Sequence, residues 1–241
     1  MSYIIAVAQR KGGAGKTTVA ISIAAELCRR GKDVALVDSD PQRSAFRWAK
    51  LGAPKFPIYE ITLSNQNVTD WFRELNHVAA KHDCVIVDTA ASEHALTTSI
   101  GTASLVLIPC TPSGLDFEAT VQTLEIIATI RARRQGHPVL ILVPNRVDAR
   151  TFEGRQIVDE LSGFGEIVSP AMGDRSAFVR AFSAGQSVGE MPEGQAAHHE
   201  IKLLCNLVEK ALDGIPYRSA SISLKSAVLL EPLLGHSSWS T

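Results

Sequence analysis

The sequence predicts an α/β fold: a mostly parallel, twisted sheet with helices on both faces. Three observations carry that expectation. Five apolar runs are near-continuous rather than alternating, as strands buried on both faces must be. Stretches of helical period separate them, and this βαβα rhythm is what the crossovers of a parallel sheet require. A glycine-rich turn joins the first run to the first helical stretch, so strand and helix are punctuated where chain direction must reverse.

The elements follow in order. Strand 3–8, Tyr3-Ile4-Ile5-Ala6-Val7-Ala8, runs into the glycines, and a helix over 17–30 leaves them. Val34-Ala35-Leu36-Val37-Asp38 is the second strand, with a helix over about 41–51 after it. A helix over 68–81 leads to strand 84–88, Cys84-Val85-Ile86-Val87-Asp88. Strands 104–109 and 139–144 flank a long helix over 115–135, and a further helix covers 151–162. Two more helices are expected near 174–184 and 194–213, after the breakers Pro170 and Pro192. From Gly214 the pattern weakens into a Ser-rich segment, giving one domain over 1–213 and a flexible tail over 214–241. There is no internal repeat.

Composition narrows the class. At 241 residues and 45% hydrophobic the chain is globular, neither disordered nor fibrous. Lys and Arg number 24 against 25 Asp and Glu, a formal net charge of −1. That sum argues against nucleic acid, whose binding rests on cations neutralising phosphates, although a local patch outweighs a total. Cys28, Cys84, Cys110 and Cys205 lie far apart with no CxxC spacing, so neither a metal cluster nor a disulfide framework is expected. No basic leader precedes Tyr3, and no apolar run nears the roughly 20 residues of a membrane span. The expectation is a soluble, cytoplasmic protein.

Chemistry concentrates in Gln9-Arg10-Lys11-Gly12-Gly13-Ala14-Gly15-Lys16-Thr17-Thr18, between a strand and a helix. The glycines let successive N–H groups turn inward on a phosphate, and the helix N-terminus adds its positive dipole end. Gly12, Gly13, Ala14, Gly15, Lys16, Thr17 and Thr18 would cradle the nucleotide, with Lys16 on the β- and γ-phosphates and the Thr17 hydroxyl on Mg²⁺. A dinucleotide fingerprint fails because Lys16-Thr17-Thr18 follows Gly13-Ala14-Gly15. The common phosphate-loop pattern is altered too: Arg10 stands where its first glycine would fall, and a second lysine, Lys11, opens the loop. Asp88 ends an apolar strand, a placement that lets a carboxylate reach Mg²⁺ through water.

This loop resembles that of the ParA/MinD family of deviant-Walker ATPases, which reads KGGxGK[ST]. The resemblance covers about residues 3–212 and is strongest with the small plasmid-partition proteins of ParF type that lack an N-terminal helix-turn-helix domain. It implies the P-loop NTPase fold with a deviant Walker A motif, ATP and Mg²⁺ as cofactors, and weak intrinsic ATPase activity. It implies that Lys11 reaches across a nucleotide-sandwich homodimer to the partner's ATP, where a cation stabilises charge developing in phosphoryl transfer. In Val37-Asp38-Ser39-Asp40-Pro41-Gln42, close to the family's DxDPQ element, Asp40 would orient the attacking water and Asp38 would support the metal. Thr89-Ala90-Ala91-Ser92 departs from the glycine or proline common after the Walker B aspartate. The segment Ile108 to Asp116 resembles the loop leading to the helix of the dimer face. Asn145, with Arg146 beside it, stands where the family places an Asn on adenine. Pro170 to Arg175 and Gly185 to Val188 follow the C-terminal pattern.

The resemblance implies a timer. Two ATP-bound subunits close, bind DNA non-specifically over the nucleoid, and separate when a small ParB- or ParG-like partner stimulates hydrolysis, so that plasmid or other cargo is segregated. Candidate DNA-facing residues are Arg131, Arg133, Arg134, Arg175, Arg180, Lys202 and Lys210. The alternative is a MinD-like membrane-cycling regulator. A membrane is not expected, because Ile222 to Pro232 carries one lysine, one glutamate and a helix-breaking proline. Ligases such as dethiobiotin synthetase lack the opening lysine and the DxDPQ element, and the nitrogenase iron protein needs paired bridging cysteines. Bacterial tyrosine kinases carry a tyrosine-rich tail, against Tyr217 alone here.

Overall fold

The computed structural model describes residues 2–64 and 67–215. Of the expected tail over 214–241, residues 216–241 lie outside the described residues. In chain order the elements are β1 (Tyr3–Val7), α1 (Lys16–Arg29), β2 (Val34–Asp38), α2 (Ser44–Leu51), β3 (Ile58–Glu60), α3 (Val68–Ala79), β4 (Cys84–Asp88), α4 (Glu93–Thr102), β5 (Leu105–Cys110), α5 (Gly114–Arg133), β6 (Val139–Pro144), α6 (Phe152–Ser162), β7 (Ile167–Val168), α7 (Ser176–Ser183) and α8 (Gln195–Asp213). Short 3₁₀ turns at Val188–Glu190 and Pro192–Gly194 lead into α8.

The strands form one sheet in the order β3-β2-β4-β1-β5-β6-β7, and every pairing is parallel. Pleating sends neighbouring β1 residues to opposite faces. Ile5 and Val7 pack with α1, α2, α7 and α8 through Val19, Trp48, Ala181 and Leu204. Ile4 meets the layer of α3, and Ala6 that of α4, α5 and α6. Burial on both faces explains why β1, β2, β4 and β5 read as unbroken apolar runs.

Central β1 lies between β4 and β5, and successive strands depart from it to opposite sides of the sheet. Such a switch point opens a crevice at the C-terminal strand ends, where ligands of open α/β sheets bind.

Three features differ from the sequence expectation. The helix expected from about 41 begins at Ser44, because Asp40 to Arg43 form a turn closed by the Arg43 N–H on the Asp40 carbonyl at 2.8 Å, with Arg43 left-handed at φ 54°. Helix α4 has no counterpart in the expected elements: its Ala95 to Thr102 stretch is buried throughout, which erases the polar face that periodicity needs. Strands β3 and β7 are short and only partly buried at the sheet edges, so they carry no apolar run.

Candidate nucleotide site

The glycine-rich loop leaves β1 at the centre of the crevice. Its base is fixed by Gln9, whose buried carboxamide donates to the Pro109 carbonyl (3.2 Å) and Thr120 Oγ1 (3.0 Å). The Gln9 Oε1 atom accepts from the Arg10 N–H (2.8 Å) and Thr123 Oγ1 (3.1 Å), so every polar atom of the side chain is matched and the loop is pinned to β5 and α5. Helix α1 then starts without a side-chain cap and without an acid in its first turn. By contrast α4, α5 and α6 start on Ser92, Ser113 and Thr151 caps, each with an acid in the first turn. Helix α1 thus keeps its N-terminal N–H groups and dipole open to an anion.

Gly15 caps α1 at φ 96°, and a methyl group there would overlap the Asn145 Nδ2 atom. That amide, at the end of β6, donates to the Ala14 carbonyl at 2.8 Å, so Asn145 ties the phosphate loop to the far half of the sheet. Arg146 beside it is held left-handed at φ 51°. Gly15→Ala should therefore lower stability by about 2–3 kcal/mol, from left-handed strain plus a lost buried hydrogen bond. The midpoint of denaturant unfolding measures this, and an unchanged midpoint would show that the loop has room to spare.

Lys16, 7% exposed, begins α1 and donates to the Lys11 carbonyl at 3.3 Å. Burial depresses its pKa, while Asp88 and Asp40 work in the opposite direction. Thr17 donates its hydroxyl to Asp88 Oδ2 at 2.7 Å. Asp88 is 1% exposed and its other oxygen, Oδ1, is buried without a hydrogen-bond partner. Burial pushes its pKa up to about 7 against the Thr17 hydrogen bond, with Asp38 pushing the same way and Lys16 opposing. A hydroxyl and a carboxylate with an unsatisfied oxygen form a hard oxygen donor set that suits Mg²⁺ sharing phosphate and water ligands.

Register places Asp38 directly opposite Asp88 on adjacent strands. Its carboxylate accepts the backbone N–H groups of Asp40 (3.2 Å) and Phe46 (2.9 Å), which folds the Asp40 turn back over the strand end. Burial raises the Asp38 pKa, and these two N–H groups partly counter it. Asp40 itself is half-buried and accepts the Gln42 N–H at 2.8 Å. After Asp88, Thr89 donates its hydroxyl to the Val7 carbonyl (2.8 Å) and Ser92 caps α4, so this departure from the glycine or proline pattern starts a helix.

Lys11 lies at the mouth of the loop, its ammonium 2.7 Å from Asp116 Oδ2 and 3.5 Å from Ser113 Oγ. A cleft of about 390 Å³ opens between Lys11, Gly13, Pro112, Asp116 and Arg146. Next to lining residues Asp116 and Thr151, Leu115 and Phe152 stand 69% and 61% exposed.

The basic candidates are not brought to one surface. Arg131 pairs with Glu166 and the Pro138 carbonyl, and Arg134 donates to the Ile100 and Ala103 carbonyls, so both guanidinium groups fasten α5 to its neighbours. Arg133 is exposed near the end of the same helix. Arg175 pairs with Glu200 at 2.6 Å, whereas Arg180 meets Glu193 only at 3.9 Å. Lys202 and Lys210, on α8, have no ion-pair partner among the described residues.

Two side chains of this site escape sequence reading as functional residues. Gln9 adjoins the motif, but apart from the neighbouring Arg10 N–H its side-chain partners lie 100 residues or more away. Asp116 is part of an ordinary Ser-x-x-Asp helix start, and nothing local signals that it meets Lys11. Among the described residues no helix is long and apolar enough to cross a membrane.

Residues 5–188 match the family model described as the CobQ/CobB/MinD/ParA nucleotide binding domain. The maintenance of carboxysome distribution protein A of Halothiobacillus neapolitanus is 32% identical over 213 residues, 86% of this chain and 96% of that protein. Protein ParA of Rhizobium radiobacter is 30% identical over 197 residues, 80% of this chain and 87% of that protein. Among solved structures, apo McdA of Cyanothece superposes with a TM-score of 0.70 at 16% identity, covering 88% of this chain and all of the other. The Pyrococcus horikoshii septum site-determining protein MinD, complexed with Mg-ADP, gives 0.67 at 18% identity over 89% and 98% of the two chains.

Proposed function

The chain belongs to the CobQ/CobB/MinD/ParA nucleotide-binding family, whose ParA and MinD members are ATPases working with ATP and Mg²⁺ in partition or positioning, and from that premise we propose that it is a DNA-associated partition switch. In this reading two ATP-bound copies close face to face, bind DNA non-specifically, and part when a small cargo-bound partner stimulates hydrolysis. The observation that carries it is the placement of Lys11. A partly exposed cation stands at the mouth of the phosphate loop on the rim of an open cleft, and the exposed apolar Leu115 immediately precedes the lining residue Asp116 in the chain. A phosphate site serving one chain alone has no use for a second lysine and an apolar rim there, whereas a site shared by two copies has use for both.

The geometry supports the following roles. Lys16 and the open N–H groups of α1 hold the β- and γ-phosphates, in a partly dehydrated setting that strengthens each contact. Thr17 and Asp88 would hold Mg²⁺, which supplies charge neutralisation of the phosphates. Asp40, on a turn that Asp38 fixes through two N–H groups, orients the attacking water. Asn145 serves the phosphate loop through Ala14 and leaves its carbonyl oxygen for the adenine edge. DNA would meet Arg180, Lys202 and Lys210 rather than Arg131 and Arg134, whose charges are committed within the chain. Doubling in a dimer makes a patch from few residues, so the net charge of −1 is no obstacle. Homology to a carboxysome-distribution protein and to a ParA leaves plasmid and protein cargo alike within this mechanism.

The test is retention on non-specific DNA. The parent chain should be retained with ATP and released by ADP, with retention falling steeply between about 50 and 200 mM salt. Lys11→Ala should bind ATP yet lose both dimer and retention. No retention in ATP, or retention indifferent to salt, would overturn the partition reading.

A further inference from the structure

The loop and α5 are joined twice, by contacts of different kinds. Gln9 makes a buried, neutral set of hydrogen bonds to Thr120 and Thr123 that fixes the loop backbone. Lys11 makes a charged contact to Asp116 that restrains only its own side chain. The first holds the loop whether or not the second is made, so the Lys11–Asp116 pair is dispensable for loop shape and is free to be something else.

Asp116 is built to hold a cation and to outlast its departure. The residue is 2% exposed, in the first turn of α5, and its Oδ2 atom receives Lys11 (2.7 Å), Thr111 Oγ1 (2.5 Å) and Ser113 Oγ (2.7 Å). Burial pushes its pKa up, but these donors together hold it below the usual carboxylate range, so it is ionised at neutral pH. When the ammonium leaves, two hydroxyls and the helix N-terminus still support the negative charge, so release avoids the full penalty of a bare buried ion. Its other oxygen, Oδ1, is buried without a hydrogen-bond partner, so the carboxylate is not saturated by the chain itself.

Resting on the reading that Lys11 serves a second subunit, we propose that Asp116 is a positioning residue that holds Lys11 against its own chain until a partner's triphosphate outcompetes it. Closure then needs a ligand with enough negative charge to replace a carboxylate, which makes the pair a discriminator between ATP and ADP. Weakening the pair should make closure easier and less selective.

Two measurements on the full chain test this. The first is the acylation rate of Lys11 in the nucleotide-free protein, read by mass spectrometry against Lys202 and Lys210 in the same digest. Asp116→Asn keeps the shape and removes the charge, and should speed Lys11 acylation severalfold while the α8 lysines stay unchanged. The second is dimer formation with a slowly hydrolysed ATP analogue. Asp116→Asn should lower the analogue concentration for half-maximal dimer by about tenfold and admit some dimer with ADP, and the double variant with Lys11→Ala should stay monomeric as Lys11→Ala alone does. Unchanged Lys11 acylation overturns the proposal, as does a dimer effect that persists without Lys11, since that marks a purely structural aspartate. If the parent chain stays monomeric with the analogue while Asp116→Asn still frees Lys11, the two-subunit reading fails and the hold of Asp116 on Lys11 stands. Should Asp116→Asn not fold, raising salt from about 50 to 500 mM in the parent chain should accelerate Lys11 acylation selectively, because a partly exposed ion pair is screened. A flat salt response overturns the proposal.

Discussion

Lys16→Ala should bind ATP at least a hundredfold more weakly than the parent chain, about 3 kcal/mol, and show no turnover above background. Lys16 begins α1 at the floor of the phosphate loop, and the Lys11 carbonyl takes one donor of its ammonium at 3.3 Å. Burial disfavours the charged form, and Asp88 and Asp40 only partly oppose this, so the site holds the ammonium in a setting that solvates it less well than water. That unfavourable setting makes the charge effective on a phosphate, because the electrostatic term grows as water is excluded. The substitution should cost the empty fold little, since alanine is at least as good in a first helical turn. Two readouts therefore separate: nucleotide titration should show a large loss while the unfolding midpoint without nucleotide stays near that of the parent. Affinity within threefold of the parent would mean that the N–H groups of α1 hold the phosphates unaided.

The phosphate loop was legible because its chemistry is local. Strand, glycines, Lys16 and Thr17 are consecutive, so the residues that form the cradle of N–H groups lie in one stretch of chain. The β1, β2, β4 and β5 strands were legible for a related reason: burial on both faces leaves an unbroken apolar run that no polar alternation dilutes. Where position depends on partners far along the chain, the sequence is silent. Lys11 and Asp116 are 105 residues apart, Asn145 and Ala14 are 131 apart, and Gln9 reaches Thr120 across 111. Helix α4 escaped because propensity and pattern both mislead: Glu93-His94-Ala95-Leu96-Thr97-Thr98-Ser99-Ile100-Gly101-Thr102 is rich in weak helix formers and is buried almost all round. The arginines near the end of α5 show the converse limit. Two of the three, Arg131 and Arg134, fasten α5 to its neighbours, because Glu166 and the C-terminal carbonyls of α4 and its cap lie within reach only once the sheet has formed.

Asp88→Asn should abolish Mg²⁺-dependent turnover yet leave the empty chain more stable at pH 8 than the parent. Asparagine keeps the shape and still accepts from the Thr17 hydroxyl, but cannot ionise. In the parent, burial raises the folded-state pKa of Asp88 from 3.8 to about 7, so between those values the folded chain keeps a proton that the unfolded chain has released. Stability therefore falls as pH rises from about 4 to 7, and above 7 the group imposes a constant penalty of at most about 4 kcal/mol. The substitution removes that penalty, so unfolding midpoints measured from pH 5 to 8 should decline less steeply in Asp88→Asn than in the parent. The same proton competes with the metal. Mg²⁺ needs the carboxylate, so Mg²⁺ affinity of the nucleotide-bound parent should weaken below pH 7, approaching tenfold per unit, with proton release on Mg²⁺ binding visible in buffers of different ionisation enthalpy. Parallel stability curves for the two proteins would show that Asp88 is ionised without strain in the empty fold. Mg²⁺ affinity independent of pH would place the metal on other oxygens. The buried, half-satisfied carboxylate predicts neither outcome: its unpaired Oδ1 is a defect in the empty chain that a divalent cation would repair, which couples stability, pH and metal through one residue.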